Sequence, residues 1–195
     1  MALIPSEKSS PSSTISSDCQ SPILSNKDSK IFIDNSQSKP VKTTNPTIIF
    51  VQILLHILNA NMKSKDYYKK LNLNKDGHFT FKIRPSISLF DFLQRIIKYV
   101  KIEFSTLIIA MIYIDRICKE KVFLNEFNIH RIMLISIYMA YIYNEDCIYD
   151  NKYLALVSGL SKAEMVTLQE DFLDLIDFNL FVSEETFENY KIYFI

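Results

Sequence analysis

The chain has 195 residues, 48% apolar, 13% aromatic and 23% charged, with twenty-two basic and twenty-two acidic side chains, a composition that suits one globular domain plus flanking chain. Its two glycines, Gly77 and Gly159, lie far apart, which excludes a phosphate loop or dinucleotide turn, since both gather glycines to bring backbone N–H groups against phosphate. Cys19, Cys118, Cys147, His56, His78 and His130 are scattered with no CxxC pair or HExxH helix, so neither a zinc site nor any other cofactor is expected. An odd cysteine set reads as a reducing compartment, cytoplasm or nucleus.

The neutral total hides an asymmetry: residues 1–45 sum to +1, residues 46–100 to +6 and residues 101–195 to −7. An acidic C-terminal half argues against a nucleic-acid partner, which needs clustered Lys and Arg, and suits a basic protein surface instead.

Residues 1–45 hold twelve Ser, four of the six Pro and isolated apolar side chains, too little burial to offset chain entropy, so they are expected to form a disordered tail. Ser10-Pro11 and Ser21-Pro22 are minimal proline-directed phosphorylation dipeptides, of a kind that this composition also produces by chance. Met1–Pro5 has no charged or long apolar region, and no secretory signal is expected. The remainder, 46–195, is expected to be one domain.

Thr43–Met62 is the longest uncharged stretch, but its dense part, Ile48–Leu58, is broken by Gln52 and His56. With Asn59 these fall at i, i+4 and i+7, one face of an amphipathic helix over about 47–63. A membrane span needs about 20 apolar residues, so no membrane partner is expected. Between Tyr67 and Ile83 the alternation Phe79, Phe81, Ile83 after Asp76-Gly77 allows a hairpin or an extended loop. Asn72-x-Asn74-x-Asp76-Gly77 resembles the opening of a calcium loop, but it has one carboxylate, and Ile83 stands where a bidentate Glu is required. It reads as a turn.

From Ser86 to Ile195 there is no proline and one glycine, so helices must be stopped by other turn residues. Leu89, Phe92, Leu93, Ile96, Ile97 and Val100 repeat at three and four, opened by Ser88 as N-cap with Asp91 at N3. Ser105 is expected to cap a second helix to about Glu120, and Asn128 a third through Tyr143, ended by Asn144-Glu145-Asp146. Asp150 or Asn151 starts a short fourth, stopped at Ser158-Gly159. Ser161 with Glu164 forms a capping box for a fifth, which points Met165, Leu168, Phe172, Leu173 and Ile176 inward. A last piece begins at Ser183. The second and third helices are apolar nearly all round and should be central. The fold class is all-α.

Asp115-Arg116 interrupts the apolar second helix. A charge facing the core must be paired, and Arg95 is the expected partner of Asp115 in a structural ion pair. His130 reads as a satisfied structural residue. No triad, carboxylate pair or metal cluster assembles, so neither an enzyme nor a small-molecule substrate is expected.

The helix order and its signatures resemble a cyclin box, within the single-box group that includes the Pho80-like (P-type or U-type) cyclins and cyclin Y. The carriers are Ser105-Thr-Leu-Ile-Ile-Ala-Met-Ile-Tyr-Ile-Asp-Arg116, His130-Arg131, Asn151-Lys152-Tyr153, Val157-Ser-Gly-Leu160 and Leu168-Gln-Glu-Asp-Phe-Leu-Asp-Leu-Ile-Asp-Phe-Asn-Leu180. Val182-Ser-Glu-Glu-Thr-Phe-Glu-Asn-Tyr190 is similar to the helix such cyclins place after the box. The resemblance implies a five-helix box over about 86–180, with an extra N-terminal helix and a short C-terminal one. It also implies a partner, a cyclin-dependent kinase, whose regulatory helix the cyclin holds in its active position.

Two polar residues usual in the family, a Lys and a Glu that hydrogen-bond the kinase, fall at Ile142 and Gln169. Losing both avoids stranding one charge in an interface. Met139, Tyr143, Leu173, Phe178 and Leu180 occupy the matching apolar places, although their spacing also suits ordinary core packing. Glu145 and Asp146 are expected to meet kinase arginines in place of the lost pair. The rival readings are a cyclin-like scaffold that binds without activating, a DNA-gripping transcription-factor form, which the −7 balance opposes, and an enzyme of unknown type.

Overall fold

The computed structural model describes residues 45–73 and 77–194, and among these it contains eight α-helices and no strand. The Ser-rich tail falls almost wholly, and Asn74 and Asp76 of the calcium-like run fall entirely, outside the described residues. Helix α1 spans Pro46–Met62, α2 Tyr67–Leu73, α3 Leu89–Val100, α4 Phe104–Glu120, α5 Ile129–Asn144, α6 Asn151–Ser158, α7 Lys162–Leu175 and α8 Glu184–Lys191, before a closing 3-10 turn at Ile192–Phe194.

The N-terminal helix opens where Asn45 accepts a hydrogen bond from Thr47 N (3.0 Å) and Pro46 takes the first turn, which needs no N–H donor. Its buried side is Thr47, Phe50, Val51, Leu54 and Leu58, while Gln52, His56 and Asn59 face water as the polar spacing requires. It packs on α3 and α4.

Most of the expected punctuation is present. Ser88 accepts from Asp91 N at 3.0 Å, and Asp150 from Tyr153 N at 2.8 Å. Ser161 and Glu164 close a reciprocal capping box, and Ser183 caps α8. Gly159 ends α6 at φ 75°, the left-handed turn that a side chain would oppose.

Two caps differ. Ser105 is not the cap of α4: Glu103 holds that position, and Ser105 lies inside the helix, donating to the Glu103 carboxylate at 3.4 Å. Asn128 stands at the start of α5, but its side chain serves the preceding turn, accepting from Asn125 N (2.8 Å) and donating to Phe123 O (3.0 Å). The segment after Tyr67 begins as a short helix, and Phe79–Ile83 is a loop without strand pairing, held by Phe81 N donating to Phe127 O at 2.9 Å.

Helices α4 and α5 are the antiparallel centre. Every residue of α5 from Ile132 to Tyr141 is buried, as is the run Thr106–Ile114 of α4. A helix apolar all round has no solvent face to offer, so the amphipathic α1, α3, α6, α7 and α8 pack around this pair. Burying each such Ile or Leu contributes roughly 1.5–3 kcal/mol. Tyr138, fully buried, keeps its hydroxyl satisfied by donating to Leu154 O (3.1 Å) and meeting Ser158 Oγ (2.8 Å), which ties α5 to α6. No helix among the described residues is long and apolar enough to cross a membrane.

Candidate partner-docking face

The paired charges of α4 organise the chain that follows α7. Tyr113 and Arg116 lie one helical turn apart, and Tyr113 OH donates to Leu180 O at 2.7 Å. Arg116 donates to Asn179 O (2.7 Å) and Phe181 O (2.9 Å), using its planar fork on two carbonyls. Lys121 pairs with Asp177 at 2.5 Å. The four contacts fix 177–181 across the side of α4. Burial pushes the Tyr113 hydroxyl up to about 12, with Asn144 and Arg116 acting in the opposite direction.

That segment is strained where it turns. Asp177 and Phe178 both adopt the left-handed backbone region, at φ 52° and 55°, a conformation costing an L-residue roughly 1–2 kcal/mol. A bulky side chain there is held by its surroundings. The result displays Phe178, and three residues on Phe181, each 68% exposed.

The residues singled out by the resemblance separate into groups. Tyr143, at the end of α5, is 52% exposed, and Leu180, whose carbonyl accepts from Tyr113, is half-buried. Tyr143 and Asn144 both act on the Tyr113 hydroxyl, so the end of α5 and the 177–181 segment meet there. Ile142 and Leu173 are half-buried and pack against the core. Met139 is only 7% exposed and is a core residue, so it offers a partner almost no surface. Glu145 is half-buried and accepts from Thr106 Oγ1 at 2.5 Å, which ties the end of α5 to the start of α4, whereas Asp146 is exposed. Gln169 and Asn151 exchange two amide hydrogen bonds, 2.9 and 3.1 Å, which join α6 to α7.

The expected Arg95–Asp115 pair is not formed. Asp115 bridges Lys119 one turn on (2.9 Å) and accepts from Tyr190 OH, on the side of α4 that faces α8. Arg95 is exposed on α3 beside Leu156 and Val157 of α6. The interruption of α4 thus marks its two edges, neither of which points a lone charge into the core, so no buried pairing with α3 was required.

His130 and Arg131 act as staples at the start of α5. His130 Nε2 meets Ile87 O at 3.0 Å, and burial holds its basicity below the ordinary imidazole value. Arg131 stacks 4.3 Å from the Phe81 ring, donates to His78 O, and bridges Glu164 at 3.3 Å. Cys118 is half-buried, and desolvation pushes its thiol up to about 12, which makes it a poor nucleophile. No group of three or more His, Cys, Asp or Glu among the described residues is placed to hold a metal ion.

Phe181 and the roles of Tyr113 and Arg116 escape the sequence reading. The i, i+3 spacing of Tyr113 and Arg116 was a visible signal for a shared face, but nothing in the sequence announced that their target was backbone carbonyls.

Comparison with known proteins carries the assignment. The Cyclin family model matches residues 8–180. Cyclin-U4-3 of Arabidopsis thaliana is 42% identical over 118 residues, covering 60% of this chain and 54% of that protein, so the match spans about half of that relative's length. Cyclin-U4-1 of the same plant is 32% identical over 155 residues, covering 76% of this chain and 77% of the relative. Cyclin-P3-1 of Oryza sativa is 30% identical over 158 residues, covering 80% and 66% respectively. With a helical bundle in the expected order, a matching family model and relatives named as U-type and P-type cyclins, the chain belongs to the cyclin family, in its P/U-type (Pho80-like) group.

Proposed function

We propose that this cyclin is the regulatory subunit of a cyclin-dependent protein kinase and that it binds the kinase through Tyr143, Phe178, Phe181 and the half-buried Ile142, Leu173 and Leu180. The observation that carries the reading is the strained 177–181 segment, which four contacts from α4 and Lys121 just beyond it hold open to solvent with two phenylalanines displayed. Exposed aromatic side chains on a rigid support are what protein interfaces use as anchors. Asp146, exposed at the end of α5, is the acid placed to meet a kinase arginine, since Glu145 is already engaged by Thr106. The odd cysteine count supports action in the cytoplasm or nucleus.

A second reading, binding without activation, draws on Gln169. Its amide is committed to Asn151, and Ile142 carries no charge, so the charge-assisted hydrogen bonds that hold a kinase helix in its active position are replaced by apolar contact. Co-expression with each cyclin-dependent kinase of the source genome, followed by gel filtration and a peptide-phosphorylation assay, separates the two. Co-elution with stimulation supports activation, co-elution without it supports the scaffold, and no co-elution with any kinase refutes both. Phe178→Asp with Phe181→Asp abolishes co-elution in either case.

A further inference from the structure

The corner where α1 meets α2 has no role in the docking face. Residues 63–70 read Lys-Ser-Lys-Asp-Tyr-Tyr-Lys-Lys, four ammonium groups against one carboxylate. Lys63, Lys65, Lys69 and Lys70 are all exposed, and none appears in an ion pair among the described residues. Asp66 is the corner's own acid, and Glu126, the carboxylate that acts on Tyr67, is taken by Arg84 at 3.2 Å. The corner thus keeps a net charge of +3, and no ion pair among the described residues offsets it.

The corner is also rigid. Asn61 Nδ2 donates to Leu124 O at 2.8 Å, Tyr67 is buried with its ring 5.9 Å from Phe123, and Lys70 lies over that same ring at 5.1 Å. Beside these cations stand Tyr68, 77% exposed, and the exposed Met62. Cations carried on an anchored backbone next to large apolar side chains suit a ligand that carries both negative charge and an apolar group. The seven-residue α2 is only about 10 Å long, which matches a run of three or four carboxylates. A longer polyanion would run onto the remainder of the domain, which outside 63–70 carries a net −4.

We propose that this corner is a docking site for a short acidic peptide segment of a partner protein, with a large apolar residue set against Tyr68 and Met62. The corner is tied to the connection that enters α5, whereas Tyr143 lies near the far end of that sixteen-residue helix, about 24 Å away along its axis. The Asp177 end of the docking face, held by Lys121, lies nearer, but no residue of the corner belongs to that face, and the proposal stands independently of kinase binding.

The test is fluorescence anisotropy of the full chain with a fluorescein-labelled decapeptide of Glu and Asp bearing one central Leu. The combined variant Lys63→Gln, Lys65→Gln, Lys69→Gln, Lys70→Gln weakens binding about tenfold, Tyr68→Ala weakens it a few-fold, and added salt weakens the native complex. Lys69→Gln with Lys70→Gln alone gives a smaller loss and serves if the fourfold variant does not fold. Unchanged affinity in the lysine variants overturns the proposal. So does equal or tighter binding of a ten-base single-stranded DNA or of phosphatidylserine vesicles, either of which would make the corner a general polyanion or membrane surface. Co-elution with the kinase, measured on the same variants, stays at the native level, and its loss would count against separate surfaces.

Discussion

Replacing Arg116 by Ala should release the 177–181 segment. Arg116 makes two charge-assisted bonds to Asn179 and Phe181 carbonyls. Both face solvent, so we discount the roughly 1.5–3 kcal/mol of a buried charge-assisted bond to about 1 kcal/mol for each. Tyr113 adds about 1 kcal/mol and the surface Lys121–Asp177 pair about 0.5 kcal/mol. Against these, left-handed Asp177 costs about 1 kcal/mol, the low end because Asp tolerates this region, and Phe178 about 1.5 kcal/mol. With the packing of Leu180 and Val182 set against the ordering entropy of the segment, the displayed conformation is favoured by about 1 kcal/mol. Losing both Arg116 bonds reverses that balance to about −1 kcal/mol, so the displayed fraction drops from roughly five-sixths to one-sixth. Kinase affinity then falls about fivefold. Hydrogen exchange reads the release directly: the Phe178 and Asn179 amides, bonded to Leu173 O (2.9 Å) and Ile176 O (3.0 Å), lose protection. Arg116→Lys keeps the charge but not the fork and should behave like the Ala variant. Native protection of these amides in Arg116→Ala, together with native affinity, would refute the reasoning.

Four further outcomes are expected. Tyr138→Phe leaves Ser158 Oγ and Leu154 O with one partner fewer but still bonded to each other at 2.6 Å, and should cost about 0.5–1.5 kcal/mol in urea unfolding. Phe172→Ala, from a side chain with no exposure, should cost about 3–5 kcal/mol by the same measurement. Ile142→Lys combined with Gln169→Glu should raise stimulation of a bound kinase above that of the native chain, and equal stimulation in a phosphorylation assay would count against a role for the missing charges. His130 is held neutral in the fold by burial, so below the ordinary value of 6.5 the unfolded chain takes a proton that the folded chain refuses. Stability should therefore decline as pH falls from 6.5 toward the lower folded value, and His130→Gln should flatten that decline.

Helix existence was legible because caps and apolar periodicity acted together. Ser88, Asp150, Ser161 and Ser183 each offered an oxygen just before a periodic run, and each caps a helix. Ser105 misled because a serine inside the first turn has the same local appearance as one before it, and the backbone chose Glu103. The seven-residue α2 was missed for lack of length over which a period can accumulate. The Arg95 assignment failed for a different reason: pairing is decided by which helices are neighbours, and Asp115 faces α8, sixty-nine or more residues away in sequence. Tyr143 and Met139 show the same limit, since residues four apart on one helix differ between half-exposed and buried according to how far a neighbour extends over them.

The ties that join α6 to its neighbours, Tyr138 with Ser158 and Asn151 with Gln169, use no ionised group. The stays that hold the outer strapping, Arg131 to Glu164, Lys121 to Asp177 and Arg84 to Glu126, are all ionic, and each has at least one partner well exposed to water. Concentrated electrolyte will thus slacken the periphery of this molecule while its inner scaffold keeps the same alignment.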